Sequence, residues 1–129
     1  MTTRAFAAQS ATSPLAPFSI ERREPLARDV EIDILYCGVC HSDLHFARNE
    51  WGLSVFPMVP GHEIVGRVAR VGQEVTKLKV GDLAGVGCLV DSCGQCDRCH
   101  RGLEQFCARG AEQTYNGTEM DRKTRTYGW

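Results

Sequence analysis

Apolar Val30, Ile32, Ile34 and Tyr36 alternate with polar Glu31 and Asp33, the two-residue period of a half-buried strand that delivers Cys40 at its far end. A second strand is predicted over Ile64–Val71, ended by Gly72. A turn at Lys79–Asp82 opens a third over Leu83–Leu89. Between the first two, Ser42–Asn49 reads as a short helix with Ser42 or Asp43 as its N-cap, which puts Ser42 and His45 on one face. Residues 51–60 form an irregular apolar loop held by Pro57 and Pro60. The small, proline-containing stretch 1–20 predicts an edge strand and a loop, and the polar stretch from Gly110 to Arg125 predicts surface loop. Short strands separated by glycine turns, without long helical periods, point to a mainly β barrel or sandwich.

Composition narrows this picture. With 129 residues, 43% hydrophobic and 24% charged, the chain suits one globular domain, residues 1–129, with at most one small lobe beside its core. Fifteen Lys and Arg against sixteen Asp and Glu leave a net charge of −1, which gives no long-range attraction to a polyanion and argues against a nucleic-acid partner. No apolar run approaches bilayer length, and the N-terminus lacks the apolar core of a signal peptide, so a cytoplasmic protein with no membrane partner is expected.

Seven cysteines is an odd number, and four of them, Cys93, Cys96, Cys99 and Cys107, are separated by two, two and seven residues. Two-residue gaps let consecutive sulfurs converge on one centre, with Gly94 and Gly102 easing the tight turns. A redox pair or an iron–sulfur cluster competes for such spacing. Four thiolates closing a tetrahedral shell around Zn²⁺ is the reading adopted: a structural zinc lobe over about residues 91–109, stabilised by metal rather than by its own core. His100 is then a solvated neighbour, and the lone thiol Cys88 a small buried hydrophobe in the third strand.

The other chemical cluster is Cys37-Gly-Val-Cys-His-Ser-Asp-Leu-His45 together with Gly61-His-Glu63. A sheet that brings two strand ends together would let Cys40, His62 and Glu63 share one cation. Three visible ligands leave a position open for water or substrate, the arrangement of a catalytic rather than a structural zinc. Taken singly, His62 reads as a hydrogen-bonded core histidine, His45 as an exposed helix residue, and Cys37 with Cys40 as a redox pair. The last lacks its βαβ surroundings.

These segments, followed by Val80-Gly-Asp82 and the four-cysteine lobe in that order, resemble the zinc-dependent medium-chain alcohol dehydrogenases, and within them the cinnamyl alcohol dehydrogenase and broad-specificity aldehyde reductase branch. The resemblance runs from about Glu21 to Cys107. It implies a GroES-like β-barrel catalytic domain that interconverts alcohols and aldehydes by hydride transfer, with two Zn²⁺ per subunit and NAD(P), NADP being favoured. It makes Cys40 and His62 catalytic zinc ligands, with Glu63 coordinating in some states. Asp43 becomes the acceptor that fixes the tautomer of a ligand imidazole. Ser42 becomes the hydroxyl that bonds the alcohol, His45 the outer base of a proton relay running through the cofactor ribose, and His41 the residue near the cofactor pyrophosphate. Trp51 and Met58 are candidates for lining the substrate pocket. The implied partners are a small alcohol or aldehyde and, in the full-length enzyme, a second identical subunit.

The family's third catalytic zinc ligand and its glycine-rich Rossmann domain lie beyond the structural lobe, and neither is found in these residues. The chain therefore reads as the first part of such an enzyme, inactive by itself and without productive NAD(P) binding. Thr126-Tyr-Gly resembles the approach to the family's next barrel strand. The rivals are a non-enzymatic binding module that holds only the structural zinc, and a nucleic-acid zinc ribbon, which the balanced charge disfavours.

Overall fold

A computed structural model describes residues 1–128; the terminal Trp129 of the Tyr127-Gly-Trp129 segment lies outside the described residues. Ten short elements follow one another. Strands β1 (Thr2–Ala7), β2 (Ala16–Glu21) and β3 (Val30–Gly38) precede helix α1 (His41–Ala47). Strands β4 (Glu63–Val71), β5 (Leu83–Val86) and β6 (Leu89–Asp91) lead to the single turn α2 (Asp97–His100), a 3₁₀ turn at Glu104–Phe106, and β7 (Glu112–Gln113). The hydrogen-bonded strands form three antiparallel sheets, β1-β2, β3-β4-β5 and β6-β7. No helix is long and apolar enough to cross a membrane among the described residues.

The first twenty residues hold more structure than an edge strand and a loop. Thr2–Ala7 pairs with Ala16–Glu21 residue for residue, from Thr2 opposite Glu21 to Ala7 opposite Ala16. The period of two places Ala5, Ala7, Phe18 and Ile20 inward, where Ala7 and Ile20 form a buried cluster with Val59 and Tyr127 packs against it. Pro17 is tolerated because β2 is an edge strand, where a missing N–H need not break a ladder. The 51–60 loop is pinned to this sheet by a reciprocal pair of backbone bonds, each 2.9 Å, between Ala8 and Met58. Met58 is consequently 1% exposed and belongs to the core, contrary to its expected place in a substrate pocket.

Strand β3 follows the predicted alternation only as far as Ile34. Its register against β4 slips between Ile34 and Tyr36, so Leu35 and Tyr36 both face outward, 50% and 75% exposed, and Cys37 takes the inward position. An inserted residue in one strand of a pair reverses the facing of everything after it. The expected inward Tyr36 is thus corrected.

The predicted strand Leu83–Leu89 is two strands. Val86 ends the pairing with β4, and the chain crosses at Gly87–Cys88 to pair with β7. Cys88 sits at that crossing and is exposed, so it is not the buried hydrophobe expected of a mid-strand thiol. The stretch after Gly110 is likewise more than surface loop. Glu112, Thr114, Tyr115 and Thr126 are buried. The buried threonines have partners: Thr114 donates its N–H to the Cys88 carbonyl at 3.1 Å and its hydroxyl to the Gly87 carbonyl at 2.5 Å. Thr126 Oγ1 accepts the Gly117 N–H at 3.1 Å, and Glu112 pairs with Arg122. Satisfied polar groups can be buried at little cost, which a count of polar residues does not register.

Candidate functional site

Strand pairing builds the site. In the β3–β4 ladder Gly38 stands opposite Glu63, so the chain leaving β3 and the chain entering β4 meet at one edge of the sheet. Cys40 lies two residues beyond Gly38, and His62 immediately precedes β4. One donor atom from each of Cys40, His62 and Glu63 lies within 4.8 Å of the others.

Helix α1 begins one residue earlier than predicted, with Cys40 as its N-cap in place of Ser42 or Asp43. Asp43 sits in the first turn and reaches back, its Oδ2 accepting the Cys40 N–H at 2.9 Å. Its other oxygen, Oδ1, accepts the Gly61 N–H at 3.1 Å and lies 3.1 Å from His62 Nδ1. One buried carboxylate therefore ties together the end of β3, the helix and the turn before β4. The bond to Nδ1 fixes the imidazole tautomer and leaves the lone pair of Nε2 free to bind a cation.

The remaining predicted residues lie along α1 and just after it. Ser42 Oγ is 3.6 Å from Cys40 Sγ. His45 Nδ1 is 2.5 Å from Glu50 Oε2, and its ring stacks between His41 at 4.9 Å and Trp51 at 4.7 Å between centroids. Ser42 and His45 are not hydrogen-bonded to each other among the described residues. Trp51 is half exposed, with the edge of Phe46 against it. His41 is exposed.

Two neighbours were not singled out in the sequence. Glu50 holds His45, and the acidic residue five positions from a helical histidine is a weak signal that could have found it. Tyr115 lies 5.6 Å from the His62 ring and 5.5 Å from Phe46 between centroids, and its phenol pKa is raised by burial and by the Asp43 carboxylate. Nothing local marked it, because it arrives from the segment read as loop. Burial also pushes up the Cys37 thiol, which stands beside this cluster.

The second cluster closes as its spacing predicts. One sulfur from each of Cys93, Cys96, Cys99 and Cys107 lies within 4.8 Å of the rest. Cys96 and Cys99 are 3.5 Å apart, and Cys93 and Cys99 3.9 Å. Sulfurs bound tetrahedrally at about 2.3 Å stand roughly 3.8 Å apart, close to both of these distances, so the cluster suits one zinc ion. Gly94 and Gly102 take positive φ angles of 61° and 72°, turning the chain between ligands. The Cys93 N–H points at Cys107 Sγ and the Ala108 N–H at Cys96 Sγ, each at 3.5 Å, which favours thiolate at both. The Ala108 N–H, with that of Cys99, brings Cys96 down to about 6, and the Cys93 N–H lowers Cys107. Cys99 is pushed up to about 11, the Ser92 hydroxyl being outweighed by burial and by the neighbouring thiols. His100 is exposed and outside the cluster, as expected.

Residues 27–126 match the family described as alcohol dehydrogenase GroES-like domain. Over 128 residues the chain is 54% identical to aldehyde reductase YahK of Escherichia coli and 52% identical to NADP-dependent alcohol dehydrogenase C of Mycobacterium bovis, in each case covering 99% of this chain. It spans 36% and 37% of the length of those curated relatives. Among solved structures, a cinnamyl alcohol dehydrogenase of Sorghum bicolor superposes with a TM-score of 0.94 at 44% identity, over 99% of this chain and 36% of that one.

Proposed function

Because the chain belongs to the alcohol dehydrogenase GroES-like domain family, we propose that it supplies the substrate-activating part of an NADP-linked, zinc-dependent alcohol dehydrogenase or aldehyde reductase. The reaction class is interconversion of small alcohols and aldehydes by hydride transfer. The relatives, an aldehyde reductase and an NADP-dependent alcohol dehydrogenase by name, support the substrate class and the preference for NADP. One observation carries the reading: a thiolate donor, an imidazole donor and a carboxylate converge at the β3–α1 junction while Asp43 holds the imidazole.

In this reading Cys40, His62 and Glu63 hold the catalytic cation and Cys93, Cys96, Cys99 and Cys107 the structural one. Both donor sets suit zinc, with thiolate and nitrogen at the first and four thiolates at the second. When bound at the first, zinc supplies Lewis acidity that lowers the pKa of an alcohol. The rest falls to side chains of this chain. Asp43 keeps the proton on His62 Nδ1, so that Nε2 faces the site. Ser42, beside Cys40, accepts the substrate's proton at Oγ. His45 receives it further out, its ring held in place by Glu50 at Nδ1. Exposed His41 stacks on His45 at the surface where a cofactor pyrophosphate would approach.

Residues 1–129 constitute part of one GroES-like catalytic domain with its lobe at about 91–109. Nicotinamide binding and a homodimer are expected of an enzyme of the relatives' full length, of which this chain spans 36% and 37%. Clustered free thiols suit a reducing cytoplasm.

Metal counting tests the reading. The reduced chain should bind about two zinc ions, and Cys40→Ser or His62→Ala should bring the count to about one. A wild-type count of one, unchanged by those substitutions, would establish the binding module that holds only the structural zinc.

A further inference from the structure

The Cys40–His62–Glu63 cluster depends on a residue with no side chain. Gly38 is the last residue of β3 and stands directly opposite Glu63 in the ladder. A Cβ built on Gly38 would lie 2.4 Å from Glu63 Oε2, 3.4 Å from its Cδ and 3.1 Å from its Cβ. Ordinary cross-strand neighbours keep their Cβ atoms about 4.5–5.5 Å apart. The strand ends therefore converge more closely than two side chains allow, and the Glu63 carboxylate folds back over the space that a Gly38 side chain would fill.

We propose that Gly38 is a positioning residue: its missing side chain lets the Glu63 carboxylate lie across the end of β3, beside Cys40 and His62, as the third donor to a cation. This rests on the cation site proposed above. The geometry separates positioning from mere tolerance. The severe contact is with the far end of an exposed, flexible side chain, which can rotate away into solvent. The contact with Glu63 Cβ needs only a few tenths of an ångström from the strand. Gly38→Ala should fold, and what it should lose is the carboxylate.

The test uses the full 129-residue chain with one equivalent of Zn²⁺ filling the four-thiolate lobe. Co²⁺ is then titrated in and its d–d absorption recorded. Gly38→Ala should weaken Co²⁺ binding about 10-fold, on the order seen when the support of a metal ligand is removed, and should change the band shape. Glu63→Ala should do the same. In the Glu63→Ala background, Gly38→Ala should add nothing, because the group it displaces is gone. Should Gly38→Ala fail to fold while the double variant folds and matches Glu63→Ala, the clash is again with the Glu63 side chain, and the proposal stands. It is overturned if Gly38→Ala leaves the affinity and spectrum of a Co²⁺-binding chain unchanged, if its effect persists in the Glu63→Ala background, or if both variants fail to fold. A wild-type chain that takes up no Co²⁺ beyond the lobe overturns the catalytic-site reading itself, and this inference with it.

Discussion

Replacing Asp43 should disturb stability and metal binding by different amounts, and the structure says why. Its carboxylate accepts hydrogen bonds from the Cys40 N–H, the Gly61 N–H and His62 Nδ1 while only 6% exposed. In Asp43→Asn the amide oxygen can take over at Oδ1, keeping Gly61 and His62. The new NH₂ then faces the Cys40 N–H, donor against donor. One charge-assisted bond is lost and one donor is left unpaired, a cost of about 2 kcal/mol. The opposite amide orientation would forfeit two bonds to keep one, so it should not be populated. Asp43→Ala abandons all three partners, and with buried Gly61 unsatisfied it should cost about 4 kcal/mol. Urea denaturation of the metal-free, reduced chain reads these differences. Zinc affinity at the Cys40–His62 site, measured against a competing chelator, should fall only modestly in the Asn variant, since His62 keeps its orienting acceptor, and about 10- to 100-fold in the Ala variant. If Asn and Ala cost the same within about 0.5 kcal/mol, Asp43 does not act by dividing its two oxygens among three partners.

Other perturbations probe separate parts of the molecule. In the zinc-loaded chain an aromatic disulfide reagent should modify exposed Cys88 first, and Cys88→Ser should abolish that fast phase; an unaltered fast phase would place the exposed thiol elsewhere. Cys93→Ser should remove one zinc from the lobe and leave the other, read by metal analysis, because three thiolates cannot close the shell that four complete. Asp121 is held down at about 2 by the Thr124 hydroxyl and by the N–H groups of Lys123 and Thr124. Since the folded-state pKa is the depressed one, its contribution to stability is complete above the ordinary aspartate value of 3.8 and is lost as the pH falls through about 2. Thr124→Ala should raise the Asp121 pKa toward its ordinary value in an NMR titration, and no movement would reassign the cause to the backbone.

What could be read from the residues, and what could not, divides along the range of the interactions. The lobe was legible because ligands two residues apart must turn back on one centre, a constraint contained within fifteen positions. The pairing of Cys40 with His62 was legible only as a possibility of strand ends, and the Gly38–Glu63 register is what realises it. Three features escaped for one shared reason. Outward Tyr36 follows from a bulge set by the partner strand, exposed Cys88 from a crossing between sheets, and buried Tyr115 from a polar segment whose hydrogen bonds are answered by Gly87 and Cys88. Each depends on a partner distant in sequence, which periodicity within one segment cannot report. The same dependence explains why the site is built where it is. A carboxylate on a seven-residue helix could not by itself fix a histidine nearly twenty positions away. It does so because the β3–β4 ladder has already brought both chain ends to the same edge, leaving Asp43 to set only the direction of a ring whose place is decided.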